Sequence, residues 1–507
     1  MEHTCSGIEV KNPMVSTKCA ARVLLKDIRA NNDIPGKALN QLLWQRYGVQ
    51  VAASSLYRMR SKALREINEG HDISYDQLPN YCEMIRITNP GSSAFYAWTP
   101  HDHIYRPLQF LNIFISFKGC IYGLLAGCRS FIGVDGAHLK GNYGGVLLSA
   151  VALDENNELF PFAWAIVSVE DTENWKFFVW HLKNLLNDIG RGDEWCIISD
   201  REKGIEVALI ELWPKADRRY CCKHLCKNWK KPFLGPLMFS LFWLAAGAYS
   251  AFTFKKAMDQ LQKVNPAALI WLSKVGDQST WTIHKFNEAI KCDVNKSNFV
   301  ESFNSTLGMD RARPVLTLLE GIRRTIMVRM CTRKQASENW VDDDICPRIK
   351  TGLKVITQES RACKAYPSAD GYEVTDGKSV LFVSFAERRC LCGRWQISGI
   401  PLRRYKAAYA GGIKSIPDSD QWPDFVMPKI QPPTIKRGVG RPCRERRRDE
   451  EEERKGKRRK TLKCINCGSY GHNLLTCKGG PTAKQAAAVA ASKRGKGKQA
   501  GVTSGSA

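Results

Sequence analysis

Ser130-Phe131-Ile132-Gly133-Val134-Asp135-Gly136-Ala137-His138-Leu139-Lys140 is the stretch that decides the fold. The run Phe131 to Val134 is too short and too β-branched for a helix, so it reads as a buried strand. It leads straight to an acid, Asp135, with Gly136 directly behind it. A carboxylate at such a position is costly to bury unless it is hydrogen-bonded or meets a cation. Trp195-Cys196-Ile197-Ile198-Ser199-Asp200 repeats the pattern. Two strand-borne aspartates suggest a site that gathers carboxylates around hard divalent cations. The competing reading is that they cap the helices that follow, above all at Asp200, which precedes Arg201-Glu202-Lys203-Gly204.

Working outward, Val146 to Asp154 and Leu159 to Val169 read as strands on either side of the turn Glu155-Asn156-Asn157. Trp175 to Ile189 is an amphipathic helix, with Phe177, Phe178, Trp180, Leu182 and Leu185 among its apolar positions. The Asp200 strand follows, then a helix through Ile205, Ala208 and Leu212, and a strand from Arg218 to Cys221. Three strands, the first bearing an aspartate, then helix, acidic strand, helix and strand match the ribonuclease H-like order. The expected class is therefore α/β, a mixed sheet flanked by helices, over residues 127–310. The aromatic-rich segment 227–290 reads as a helical insertion in it. Past the insertion, Asn298-Phe299-Val300-Glu301-Ser302-Phe303-Asn304 opens another helix and offers a third acid. Spacing alone does not select Glu301, since a solvated helical glutamate is the commoner case.

At 507 residues the chain has room for two to four domains. A hydrophobic fraction of 44 % excludes a chain disordered throughout. The net charge of +26, from 76 basic and 50 acidic residues, favours a polyanionic partner, and nucleic acid is the default. Part of that excess sits in the tail. Of the 19 cysteines, many lie in apolar segments (Cys120, Cys128, Cys196) and others in short-spaced Cys/His groups, and no signal peptide is read at the amino end. This usage fits a reduced compartment and metal binding rather than disulfides. Leu237 to Phe254 is long and apolar, but Ser240, Gly247, Tyr249 and Ser250 interrupt it. It is expected to be a buried helix, not a membrane span.

Residues 16–93 show helical stripes: Ala20, Val23, Leu24 and Ile28, then Ala38, Leu39, Leu42 and Leu43, then Leu56, Met59, Ala63 and Leu64. The third carries Arg58, Arg60, Lys62 and Arg65. Three short helices, the last of them basic, fit either a helix-turn-helix module or a plain bundle with a solvated basic face.

Together these segments resemble the Mutator-like element (MULE, or MuDR) transposases of plants. The resemblance is carried by residues 133–141, Phe-Ala-Trp-Ala-Ile-Val at 162–167, Glu-Asn-Trp-Lys-Phe-Phe at 173–178 and Ile-Ser-Asp-Arg-Glu-Lys-Gly at 198–204. Arg-Tyr-Cys-Cys-Lys-His-Leu at 219–225, Glu-Ser-Phe-Asn at 301–304 and Asn-Pro-Gly-Ser at 89–92 add to it. The resemblance implies a catalytic set of Asp135, Asp200 and Glu301 holding two Mg²⁺ or Mn²⁺ ions, with Cys221 and His224 as an accessory Cys-x-x-His. It implies metal-dependent cleavage and strand transfer of double-stranded DNA at terminal inverted repeats, in the nucleus, by a homo-oligomer. The alternative is a domesticated, catalytically silent DNA-binding regulator. His138 is expected to pack in the core.

Two zinc elements of such proteins look decayed. Residues 1–15 keep only His3 and Cys5, read as the remnant of an amino-terminal DNA-recognition module. Residues 311–425 are expected to be helical with a degenerate SWIM-type element. There Cys390 and Cys392 remain, while Leu402 and Arg404 replace the second ligand pair. Two thiolates do not close the four-coordinate shell of structural zinc.

From Pro428 the composition turns to that of a disordered basic tail. Residues 426–462 form a linker in which Arg437, Gly440, Arg441 and Pro442 resemble an AT-hook for the minor groove. Within 463–478, Cys464, Cys467, His472 and Cys477 have the spacing of a CCHC zinc knuckle. Such a knuckle would hold one Zn²⁺ and bind single-stranded nucleic acid. Residues 479–507 read as a flexible tail.

Overall fold

The structure is a computed structural model. It describes residues 22–25, 27–28, 34–99, 107–187, 194–340, 346–375, 377, 379–398, 405–417, 419–423 and 425–433. At its centre lies one mixed sheet built from β1 (Ser93–Trp98), β2 (Leu108–Ser116), β3 (Cys128–His138), β4 (Val146–Asp154), β5 (Leu159–Val167), β6 (Cys196–Ser199) and β7 (Asp217–Tyr220). Their order across the sheet is β1-β2-β5-β4-β3-β6-β7. Pairing is antiparallel from β1 through β5 and β4 to β3, then parallel from β3 to β6 and β7.

Local chemistry accounts for this layout. β4 is buried at every position, because neighbours on both sides and helices on the faces leave it no wet surface. It is therefore apolar at successive positions rather than alternating, with only Ser149 and the closing Asp154 polar. Asn157 closes the β4–β5 turn in the left-handed region, which a short polar side chain tolerates. Parallel strands need a crossover. Helices Thr172–Asn187 and Lys203–Leu212 supply the two that lead to β6 and β7.

The strands expected at Phe131, Val146, Leu159, Cys196 and Arg218 are all present. The sheet, however, opens at Ser93, well before residue 127, and β1 and β2 extend it on one side. In β2, Phe110, Ile113, Phe114 and Ile115 are buried in the main core.

Before the sheet, the third apolar stripe belongs to one long helix, Ala53–Asp76, rather than to a short one. Leu56, Met59 and Ala63 pack with Leu24, Ile28, Leu39 and Leu43 in a small cluster of their own. At the far end of the helix, Tyr75 joins the main core. The hydroxyl of Tyr143 donates to Asp72 there.

Helices Cys222–Trp229, Pro236–Ala246, Ala251–Val264 and Ala267–Ser273 form a second apolar core around Trp229, Phe242 and Trp281. The single helix expected over 237–254 is two helices. The first stops at Gly247, and Ser250 caps the second by accepting from the Thr253 amide. Among the described residues no helix is long and apolar enough to cross a membrane.

After residue 311 the chain returns to the main core. Helix Val315–Glu338 buries Leu318, Leu319, Ile322 and Ile326 against it. The region expected to be helical also holds a four-stranded antiparallel sheet: β8 (Lys364–Ser368), β9 (Gly371–Thr375), β10 (Val380–Ser384) and β11 (Arg389–Cys390). A last strand, β12 (Ile430–Gln431), pairs in parallel with Leu108 and Gln109 of β2. Ile430 is fully buried, so the chain is still part of the fold past residue 426, where the disordered linker was expected to start.

Candidate active site

β3 is the switch strand, pairing antiparallel with β4 on one side and parallel with β6 on the other. In open α/β sheets, ligands collect beyond the carboxyl ends of strands at such a switch. Gly133 stands opposite Ile198 in the parallel register. Asp135 and Asp200 are each two residues further on, so the two acids leave neighbouring strands, roughly 5 Å apart, at the same level.

Glu301 reaches the same place from far along the chain. Its helix, Asn298–Thr306, buries Phe299, Val300 and Phe303 in the main core. The helix lies directly on β3 at Gly133, where an added Cβ would stand 2.4 Å from Phe299 and 2.5 Å from Val300. Only the missing side chain permits this approach.

The carboxylates feel one another. Burial pushes the Asp135 carboxyl up to about 7, Asp200 and Glu301 add to the rise, and His224 and a hydrogen bond from Asn304 oppose it. Asp200 Oδ1 accepts from the Glu202 amide at 3.2 Å. Capping of the next helix falls to Glu202, whose carboxylate accepts from the Ile205 amide at 2.9 Å. The cap reading of Asp200 is thereby displaced by its neighbour. Glu301 meets the Lys223 ammonium through Oε2, and its Oε1 lies 3.5 Å from His224 Nε2.

Cys221 and His224 belong to this arrangement. Burial would raise the Cys221 thiol, but hydrogen bonds from His224 and the Ser297 amide outweigh it and bring it down to about 7. The Cys221 contact raises His224 in turn, burial opposes the rise, and Asp200 and Glu301 support it. His138 does not pack in the core. It is solvent-exposed at the end of β3, and partial desolvation of its ring, with Arg311 nearby, holds its pKa below the ordinary value.

Residues 131–228 match the family model described as the MULE transposase domain. This segment is similar to a MULE transposase domain. The match takes in Asp135, Asp200, Cys221 and His224 and stops short of Glu301. No curated protein matches the chain.

Among the described residues, no three His, Cys, Asp or Glu side chains stand at metal-coordinating spacing. Lys223 and His224 supply the positive charge beside Glu301 instead. The donor set nevertheless suits a hard divalent ion, being all carboxylate oxygen with one member held far above its ordinary pKa. At the SWIM-like element, Cys390 and Cys392 bring their sulfurs to 2.9 Å. Gln396 locks that turn by hydrogen bonds to the Cys390 backbone in both directions. Leu402 and Arg404, the AT-hook-like Arg437, Gly440, Arg441 and Pro442, the knuckle set Cys464, Cys467, His472 and Cys477, and the amino-terminal His3 and Cys5 all lie outside the described residues.

Two side chains of the site carried no sequence signal of their own. Asn304 donates to Asp135 Oδ2 at 3.2 Å, and Ser149 Oγ donates to Asn304 Oδ1 at 2.9 Å. Asn304 ends the run Glu-Ser-Phe-Asn, and nothing local in that run says where its amide goes.

The raised Asp135 pKa has a measurable consequence. Between about pH 4 and pH 7 the folded state keeps a proton that the unfolded chain has released, so stability falls as pH rises through that window. Asp135→Asn removes the penalty. In metal-free urea unfolding it should gain on the wild type from pH 4 to pH 7.5, by on the order of a few kcal/mol at the upper end. Asp154, which burial raises to about 6, contributes equally to both proteins and cancels in the difference. Parallel pH profiles for the two proteins would refute this assignment.

Proposed function

We propose that this protein is a DDE-type DNA transposase on a ribonuclease H-like core, cleaving and joining DNA at terminal inverted repeats. The observation that carries the reading is the gathering of three acids: Asp135 within β3, Asp200 one residue past its parallel neighbour β6, and Glu301 on the helix seated on Gly133, close enough that Asp200 and Glu301 both raise the Asp135 carboxyl. The sheet order supports the ribonuclease H-like assignment, with three antiparallel strands β3 to β5 and then β6 and β7 parallel to the first.

Asp135, Asp200 and Glu301 would hold two Mg²⁺ or Mn²⁺ ions. Such ions supply Lewis acidity and a nucleophile at neutral pH for in-line displacement at phosphorus. The chain's own part is to fix the carboxylates on rigid elements. Asp135 sits on a central strand, Asp200 is tied by its side chain to the Glu202 amide, and its carbonyl accepts from Arg218 at 3.1 Å. Lys223 and His224 balance Glu301 while no cation does. The net charge of +26 fits double-stranded DNA as substrate and a nuclear location, and active protein would work as a homo-oligomer.

A second reading is a DNA-binding regulator that keeps the fold without the chemistry, favoured by the decayed SWIM-type element, where Leu402 and Arg404 replace the second ligand pair. Strand cleavage decides between them. The full chain is given its own element ends with Mg²⁺ or Mn²⁺, and cleavage is measured beside DNA binding. Binding without cleavage favours the regulator.

Zinc separates the two cysteine-rich elements. Cys464, Cys467, His472 and Cys477 complete a tetrahedral shell, whereas Cys390 and Cys392 do not. Elemental analysis of the purified full chain should find about one Zn²⁺. Cys464→Ser with Cys467→Ser should abolish it, and Cys390→Ser with Cys392→Ser should leave it intact. The reverse pattern would overturn both assignments.

A further inference from the structure

Asn304 is 4 % exposed and lies one helical turn beyond Glu301, on the same side of its helix. Its amide is used at both ends. The nitrogen donates to Asp135 Oδ2, and the oxygen accepts from the hydroxyl of Ser149. Ser149 is itself fully buried and stands directly opposite Asp135 in the β3–β4 register. An ionised Asp135 can only accept, so it takes the NH₂ end of the amide, and the Ser149 hydroxyl then donates to the amide oxygen and holds it in that orientation. Three elements therefore meet on one side chain: β3 through Asp135, β4 through Ser149, and the Glu301 helix through Asn304 itself.

The arrangement has two effects. One Asp135 oxygen is occupied by an N–H, which holds the carboxylate in one orientation and leaves the other oxygen free. The helix is also stopped at one rotation about its axis, and Glu301, a turn earlier, is aimed with it. Phe299, Val300 and Phe303 hold the helix against the sheet by apolar contact, which is non-directional. The Asn304 bonds are directional, so they set the angle.

We propose that Asn304 is a positioning residue that orients Asp135 and sets the rotation of the Glu301 helix, and that Ser149 holds its amide the right way round. This rests on the reading of the three acids as a divalent-cation site. Partners that orient a metal-binding side chain typically matter about ten- to hundredfold in metal affinity.

The test is Mn²⁺ affinity of the full chain, read by electron paramagnetic resonance of the free ion, beside thermal unfolding and strand cleavage. Asn304→Leu keeps the approximate volume and removes both bonds. Ser149→Ala removes only the orienting hydroxyl, and Ser149→Thr restores it. The expected result is Mn²⁺ affinity weakened about tenfold or more by Asn304→Leu and about threefold by Ser149→Ala, with Ser149→Thr near wild type. A purely packing role would shift melting and leave Mn²⁺ affinity alone, and that outcome overturns the proposal. Should Asn304→Leu fail to fold, the Ser149 pair decides: equal affinity for Ala and Thr overturns it. A wild type that binds Mn²⁺ without cleaving removes the transposase reading only, because Asn304 is judged on binding. A wild type that binds no Mn²⁺ removes both.

Discussion

Asp135→Asn, Asp200→Asn and Glu301→Gln are each expected to lower metal-dependent strand cleavage by on the order of a thousandfold, a loss of several kcal/mol of transition-state stabilisation. Each change keeps the shape of the side chain and removes one negative charge that cations need. Glu301→Gln is the most informative of the three. It lies outside the matched family segment and reaches the aspartates only through tertiary packing. DNA binding should be unchanged or slightly stronger in all three variants, since carboxylates repel phosphate when no cation is present. Cleavage and binding are measured on the same preparations with the element's own ends. Full cleavage by Glu301→Gln would remove it from the site while leaving Asp135 and Asp200 in place. Cleavage lost together with binding would mean that the acids support the fold rather than the chemistry.

Gly133→Ala is expected to cost about hundredfold in cleavage while leaving DNA binding largely intact. The new methyl group would meet the Phe299 ring at 2.4 Å and Val300 at 2.5 Å, both buried. Val300 is β-branched and stiff, so the helix rather than a side chain has to move. Overpacking of this kind costs about 1–3 kcal/mol of stability. A shift of roughly 1 Å at a catalytic group is enough for a hundredfold loss of rate. Gly70→Ala is the control, because nothing lies within 4 Å of its added Cβ. As a glycine inside a helix it should gain about 0.5–1 kcal/mol on replacement, with cleavage unaffected. Cleavage rates and urea unfolding of the two variants settle it. Wild-type cleavage by Gly133→Ala would show that the position of the Glu301 helix does not limit the reaction.

The sequence by itself determined the elements that depend on neighbours along the chain. Phe131 to Val134 and Cys196 to Ser199 are strands because short β-branched apolar runs suit nothing else. The aspartates that end them were visible as costly places for charge. β4, β5 and the two crossover helices were legible for the same reason. The long apolar stretch 237–254 was less so, since hydrophobicity does not say where Gly247 ends one helix and Ser250 starts the next.

Tertiary structure decided what depends on register and close approach. β1 and β2 join the sheet because β2 pairs with β5, a contact between segments far apart in sequence. Ile430 closes on β2 from a stretch whose composition reads as disordered. Glu301 is an ordinary helical glutamate until its helix seats on Gly133, and Asn304 is an ordinary asparagine until Ser149 and Asp135 meet it. The ion pair between Lys223 and Glu301 likewise exists only once β7 delivers its following helix to the same edge. Periodicity reports which face of an element is apolar. Which partner that face meets, and at what angle, is set by packing between distant segments, and that is where this site is made.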